Sequence, residues 1–125
     1  MPKFGFSKKE RLCSQKQIEQ LFAQGAVVFL YPFRVSYLLK PQPDATLPQI
    51  IISIPRKNFK LATQRNQIKR RIREAYRLNK YLLQNSAHQF SVQYIAFVYV
   101  AKEILKYAVI EKKMQKILKD LAKLS

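Results

Sequence analysis

Arg65-Asn66-Gln67-Ile68-Lys69-Arg70-Arg71-Ile72-Arg73 is a dense basic run that still keeps apolar residues at helical spacing. At about 100° per residue, Ile68, Ile72, Ala75, Tyr76 and Leu83 fall in one stripe, while Asn66, Lys69, Arg70, Arg73, Arg77 and Lys80 gather on a neighbouring face. Such a helix can dock by one face and bind by the other. A merely solvated helix interleaves acids with its bases, yet Glu74 is the only acid between Leu61 and Lys80. Uncompensated positive charge costs stability and therefore implies an anionic partner.

The whole chain shares the bias, with 24 Lys and Arg against 7 Asp and Glu and a formal net charge of +17. Nucleic acid and anionic membrane both satisfy that charge, and composition alone does not choose between them. With 48% hydrophobic residues and only 2 glycines, the chain is not a disordered basic tail. Its 125 residues suit one domain, 1–125, with one core. Cys13 is the sole cysteine, so no internal disulfide is possible and no Cys/His cluster has zinc-ligand spacing. The stretch Met1 to Leu12 is charged without an apolar segment after it, and the run Ile95 to Ala101 is far shorter than the ~20 residues a bilayer requires. The expected location is the cytoplasm, with no membrane partner.

Outward from the basic helix, the pattern predicts a first element after Ser7, read as a cap or turn residue, and a helix at 16–24 that Gly25 ends. A strand is expected at 33–39, with an irregular entry from Val27 through Pro32, and a second at 49–54 stopped by Pro55. Those two strands read as an antiparallel hairpin with a long, proline-rich loop. The basic helix extends to Leu82. Val92 to Ala101 is apolar on both alternating faces, which describes a central strand covered on both sides. The last helix, 108–123, carries Ile110, Met114, Ile117, Leu118 and Leu121 on one stripe and lysines elsewhere, read as solubilising. The fold class is α+β, a layered structure of one small sheet with helices.

Side-chain chemistry is sparse. The carboxylates Glu10, Glu19, Asp44, Glu74, Glu103, Glu111 and Asp120 are scattered and mostly flanked by bases, where a two-metal nuclease needs them clustered. His88, the only histidine, lies in a polar loop and reads as an ordinary surface residue. There is no Gly-rich phosphate loop and no nucleophile elbow, so neither a catalytic residue nor a metal ligand is assigned. Arginine outnumbers lysine in the basic helix, and its guanidinium forks pair bidentately with phosphate. Asn66 can hydrogen-bond a phosphate or sugar oxygen, or cap locally, and Lys60 and Arg65 extend the patch towards a helix N-terminus that itself favours anions. Aromatic residues beside such a patch, if they line a groove, can stack single-stranded bases.

In this setting Arg65, Asn66, Lys69, Arg70 and Arg73 resemble the signature of the protein subunit of bacterial ribonuclease P, although Gln67 departs from the signature's second arginine. The resemblance runs upstream through Ser53 and Arg56-Lys57, downstream through Glu74-Ala75-Tyr76-Arg77, and recurs in Arg11-Leu12, Phe22 and Gly25. The segment Asn58-Phe59-Lys60-Leu61 lacks the Gly-Asn pair of many members. The resemblance implies a two-layer α/β sandwich with a mixed sheet and a left-handed βαβ crossover, against the usual right-handed rule. It implies an RNA subunit that hydrolyses precursor tRNA with Mg2+, no cofactor bound by the protein alone, and no small-molecule substrate. The protein would bind the catalytic RNA and the 5′ leader of the precursor tRNA. On that basis Arg65, Asn66, Lys69, Arg70, Arg73, Arg77, Arg56, Lys57 and Lys60 are the RNA-binding candidates, and Phe22, Tyr37, Phe33 and Ile18 the leader cleft. Two rivals stay open at this point: a generic RNA-binding module of a ribosomal or assembly kind, and a protein nuclease whose carboxylates gather only on folding.

Overall fold

Ser14 opens the first helix, α1 (Gln15–Gln24), its hydroxyl accepting the Gln17 N–H at 3.4 Å. The structure, a computed structural model, describes residues 8–124, so Ser7 lies outside the described residues. Gly25 closes α1 by donating its N–H to the Leu21 carbonyl at 2.8 Å. A Cβ there would stand 2.4 Å from that carbonyl oxygen and 2.9 Å from that of Tyr37, so only glycine lets the helix end against the sheet. The chain then enters strand β1 (Ala26–Leu30), which the sequence reading passed over as an irregular entry. Strands β2 (Phe33–Asp44) and β3 (Gln49–Ser53) follow. Helix α2 (Ala62–Asn79) tightens into a 3₁₀ turn at Lys80–Leu83, and β4 (Phe90–Tyr99) and α3 (Tyr107–Ala122) complete the chain.

The sheet has the order β1-β2-β4-β3, with β1/β2 and β2/β4 antiparallel and β3/β4 parallel. The expected hairpin between 33–39 and 49–54 does not form, because β4 inserts between β2 and β3. Its two apolar faces bury more when it lies inside the sheet, and the expected proline-rich loop is mostly strand, since β2 runs on through Pro41 and Pro43 to Asp44, which pairs with Phe90 of β4 after a shift in register. Parallel pairing of β3 with β4 requires a crossover, and α2 is that crossover.

One face of the sheet carries the main core. Phe33, Val35, Ile95, Phe97 and Tyr99 pack there with Ile68, Ile72, Ala75 and Tyr76 of α2 and with the α3 stripe Ile110, Met114, Ile117, Leu118 and Leu121. Both helical stripes read from the sequence are thus buried as expected. On the other face α1 covers a smaller cluster, Leu12, Leu21, Tyr94 and Ala96, with Ile18, Leu38 and Ile51 partly buried around it.

The segment before α1 is fastened to both layers. Leu12 donates its N–H to the Ile50 carbonyl at 2.8 Å, and Glu10 pairs with Lys80 at 2.6 Å with both side chains nearly buried. Lys80 therefore leaves the cationic face on which helical spacing had placed it. The helix ends at Asn79, and the 3₁₀ turn aims the lysine inward. Removing one partner of a buried pair costs about 3–5 kcal/mol, since the other charge stays behind uncompensated. Among the described residues no helix is long and apolar enough to cross a membrane.

Candidate nucleic-acid interface

Burial of Ile68, Ile72, Ala75 and Tyr76 turns the opposite side of α2 to solvent. Asn66, Arg70 and Arg73 are exposed there and Lys69 is half-buried beside them, as the periodicity required. Leu61 is the N-cap and makes no side-chain cap hydrogen bond, and Asn66, four residues into α2, is not its cap, so the first amides of the helix have no N-cap side chain to accept from them. Arg56, Lys57 and Lys60 are exposed on the connection from β3 into α2.

Two of the expected contacts have internal employment. The Arg65 guanidinium donates to the carbonyls of Phe59 at 2.7 Å and Lys60 at 2.9 Å, fastening the connection to the first turn of α2. Arg77 makes a forked pair with Glu74, at 3.1 and 2.5 Å, which holds the Glu74 carboxyl below its ordinary range. Arg71 turns away from the cationic face and donates to the Leu105 carbonyl at 2.6 Å, tying α2 to the loop before α3. What remains for a polyanion on α2 is chiefly Lys69, Arg70 and Arg73.

Lys69 and Arg73 lean towards β3, at the sheet edge. With Arg11, Cys13 and residues 50–52 they line a cavity of about 160 Å³. Arg11 thus joins the cationic face from the far end of the chain. Only its bridge to Ile50, a pairing invisible in local sequence, brings it there.

The four leader-cleft candidates do not share a cleft. Phe33 is 0% exposed and packs edge-on against Phe97 and Tyr99 at 6.0 and 6.2 Å, so it belongs to the core. Strand alternation puts Tyr37 on that same face, half-buried against the main core. Ile18 and Phe22 belong to α1 on the other side of the sheet, Ile18 packed on the smaller cluster and Phe22 51% exposed. The reading missed an open row on this second side. Phe29, Arg34, Val98 and Ser53 are successive partners across β1, β2, β4 and β3, and Phe29 is 64% exposed with Val27 nearby at 52%. The signal was present in the alternation of β2, since Arg34 lies between the core residues Phe33 and Val35.

The carboxylates do not assemble. Glu10 pairs with Lys80, Asp44 with Lys40, Glu74 with Arg77 and Asp120 with Lys116. Glu111 accepts from Asn79 and Tyr107. Among the described residues no three His, Cys, Asp or Glu side chains gather where they could hold a metal ion. His88 is exposed at φ 59° in a turn closed by Asn85, whose side-chain oxygen accepts the amides of Ala87 and Gln89.

A family model described as Ribonuclease P matches residues 6–122 of the chain. The ribonuclease P protein component of Porphyromonas gingivalis is 38% identical over 116 residues, covering 92% of this chain and 85% of that protein. Among solved structures, the RNase P protein from Thermotoga maritima matches with a TM-score of 0.71 at 23% identity, covering 89% of this chain and 96% of that one. The RNase P protein of Staphylococcus aureus matches with a TM-score of 0.70 at 20% identity, covering 89% and 94%. These two likenesses concern the fold, the four-stranded mixed sheet with its three helices. The span of the family model and the identity to the P. gingivalis protein fix the lineage: the chain belongs to the ribonuclease P protein family.

Proposed function

We propose that this protein is the RNA-binding subunit of ribonuclease P, working in the cytoplasm beside a catalytic RNA that removes the 5′ leader from precursor tRNA. The observation that carries the reading is the α2 face, where, among the described residues, Lys69, Arg70 and Arg73 stand clear of internal partners next to Asn66 and the cations 56, 57 and 60. Phosphate contacts from such a face supply affinity and register without reading sequence. They also lower the repulsion between two RNAs. Magnesium, on this reading, is held by the RNA, since the described residues offer no gathered ligand set, and no step passes through the protein's own side chains. The leader lies in the trough between α1 and the open row of the sheet, with Phe22 and Phe29 as stacking platforms and Arg34 as the phosphate contact. The scattered, internally paired carboxylates give the protein-nuclease alternative no support.

Cleavage assays on precursor tRNA at low magnesium test the division of labour. Catalytic RNA and protein together should release the mature 5′ end, and neither alone should do so. Release by the protein alone would overturn the reading. Phe29→Ala and Phe22→Ala should each lower precursor affinity by about 1–3 kcal/mol, a single lost stacking platform, while sparing mature tRNA and the melting temperature. Equal losses for precursor and mature tRNA would remove the leader from this trough.

A further inference from the structure

Helix α3 spends its apolar stripe on the core and turns a second cationic surface to solvent. Lys112, Lys116, Lys119 and Lys123 are all exposed. Their spacing confines them to a sector of about 60° on the helix and spreads them over about 16 Å of its axis. Successive members stand four, three and four residues apart, so each faces a like charge, an arrangement that destabilises a helix. Among the described residues only Lys116 has a carboxylate partner, Asp120 at 3.6 Å. A solubilising face would interleave acids with these lysines along its whole length.

This stripe is not an extension of the α2 face. Arg71 donates to the Leu105 carbonyl, and Asn79 bonds Glu111 and Gln115, so these residues mark the side of α2 that holds the last helix. Lys69 and Arg73 lean the other way, to the β3 edge. The two basic surfaces therefore look out from different sides of the helical layer.

We propose that the α3 stripe is a second RNA-binding surface, and that it takes the backbone of a double-helical segment. Its composition selects that partner. It is all lysine, a row of point charges without forks, and no exposed aromatic lies within it to stack unpaired bases. A membrane surface fits less well, because an interfacial helix needs its apolar face for the lipid and α3 has buried that face in protein. The proposal goes beyond the reading of α2 and does not depend on it. It makes the protein a clamp between two stretches of RNA.

The test measures binding to a short RNA hairpin with no unpaired tail, over a series of salt concentrations. Replacing Lys112, Lys116, Lys119 and Lys123 by Gln should raise the melting temperature or leave it unchanged, never lower it, and make the slope of log affinity against log salt shallower by roughly 3 units, at about 0.7–0.9 per phosphate. The all-Arg version of the stripe should restore the slope. A control that removes the same charge elsewhere, Lys9, Lys16, Lys102 and Lys106 to Gln, should change it much less. An unchanged slope in the stripe variant, or an equal change in the control, overturns the proposal. So does loss of binding to phosphatidylglycerol vesicles with hairpin binding intact, which would make the stripe a membrane face. The pair Arg70→Ala and Arg73→Ala, measured on the same hairpin, reports on α2 separately, so either surface can fail while the other stands.

Discussion

At the scale of single residues, an arginine's position on a helical wheel does not say what its guanidinium is bonded to. Arg70, Arg71 and Arg77 are similar letters in one run, yet one faces solvent, one holds a loop carbonyl and one is forked onto Glu74. This yields a directional prediction. Glu74→Gln releases Arg77 from its carboxylate, so affinity for RNA should rise and the salt slope should steepen by about 0.7–0.9, one further phosphate. Weaker binding in a filter or polarisation titration would show that Glu74 orients Arg77 for the RNA instead of competing with it. Tyr107 offers a second test. Burial, and after it the charge of Glu111, push its hydroxyl up from 10.0 to about 12. In that window the unfolded chain has released the proton while the folded chain keeps it, so stability should fall as pH rises from about 10 to about 12. Tyr107→Phe should flatten part of the fall in melting temperature, and Tyr76 and Tyr99, which burial shifts the same way, add to it.

Among whole elements, legibility follows the distance over which the deciding interaction acts. The α2 and α3 stripes are local periodicities and were read correctly down to Ile68, Ile72, Met114 and Leu118. The doubly apolar β4 announced a central strand for the same reason. Strand β1 did not announce itself, since Val27 and Phe29 stay exposed on an edge and the run lacks the alternation a half-buried strand shows. The partner of β3 was misjudged because pairing is decided across the chain, where β4 outcompetes the nearer β2. The cleft failed likewise: which side of the sheet Phe33 and Tyr37 face depends on where the helices lie, and β2 alone cannot tell. Gly25 is the exception, a local letter with a long-range role. A methyl group there would meet the carbonyl oxygens of Leu21 and Tyr37, so Gly25→Ala should force α1 off the sheet and cost about 1–3 kcal/mol, the usual penalty of overpacking. A chemical denaturation midpoint within error of the parent would mean that α1 is free to shift.

Across the whole molecule, the net charge of +17 that suits the chain to RNA also opposes its own folding. The contest has a length scale. At an ionic strength of about 0.01 M the Debye length is roughly 30 Å and the lysines and arginines of every element repel one another; at about 0.1 M it is roughly 10 Å and only near neighbours do. The ion pairs do not reverse this trend, because Glu74–Arg77, Lys116–Asp120 and Lys40–Asp44 are each at least partly open to solvent, where such pairs are worth little, and Glu10–Lys80 is buried beyond the reach of salt. Salt should therefore raise the melting temperature of the protein alone across that range. The same salt should lower its affinity for RNA, since each neutralised phosphate takes back a counterion. At low salt, added RNA should in turn raise the melting temperature more than salt does, because it binds the folded chain, with its gathered cationic face, more tightly than the unfolded one and supplies the missing negative charge. Calorimetry of the free protein in about 0.01 and 0.1 M salt decides the matter. A melting temperature that falls as salt is added would mean that surface ion pairs outweigh repulsion, and the excess of cations could then no longer be read as a cost that only a polyanion relieves.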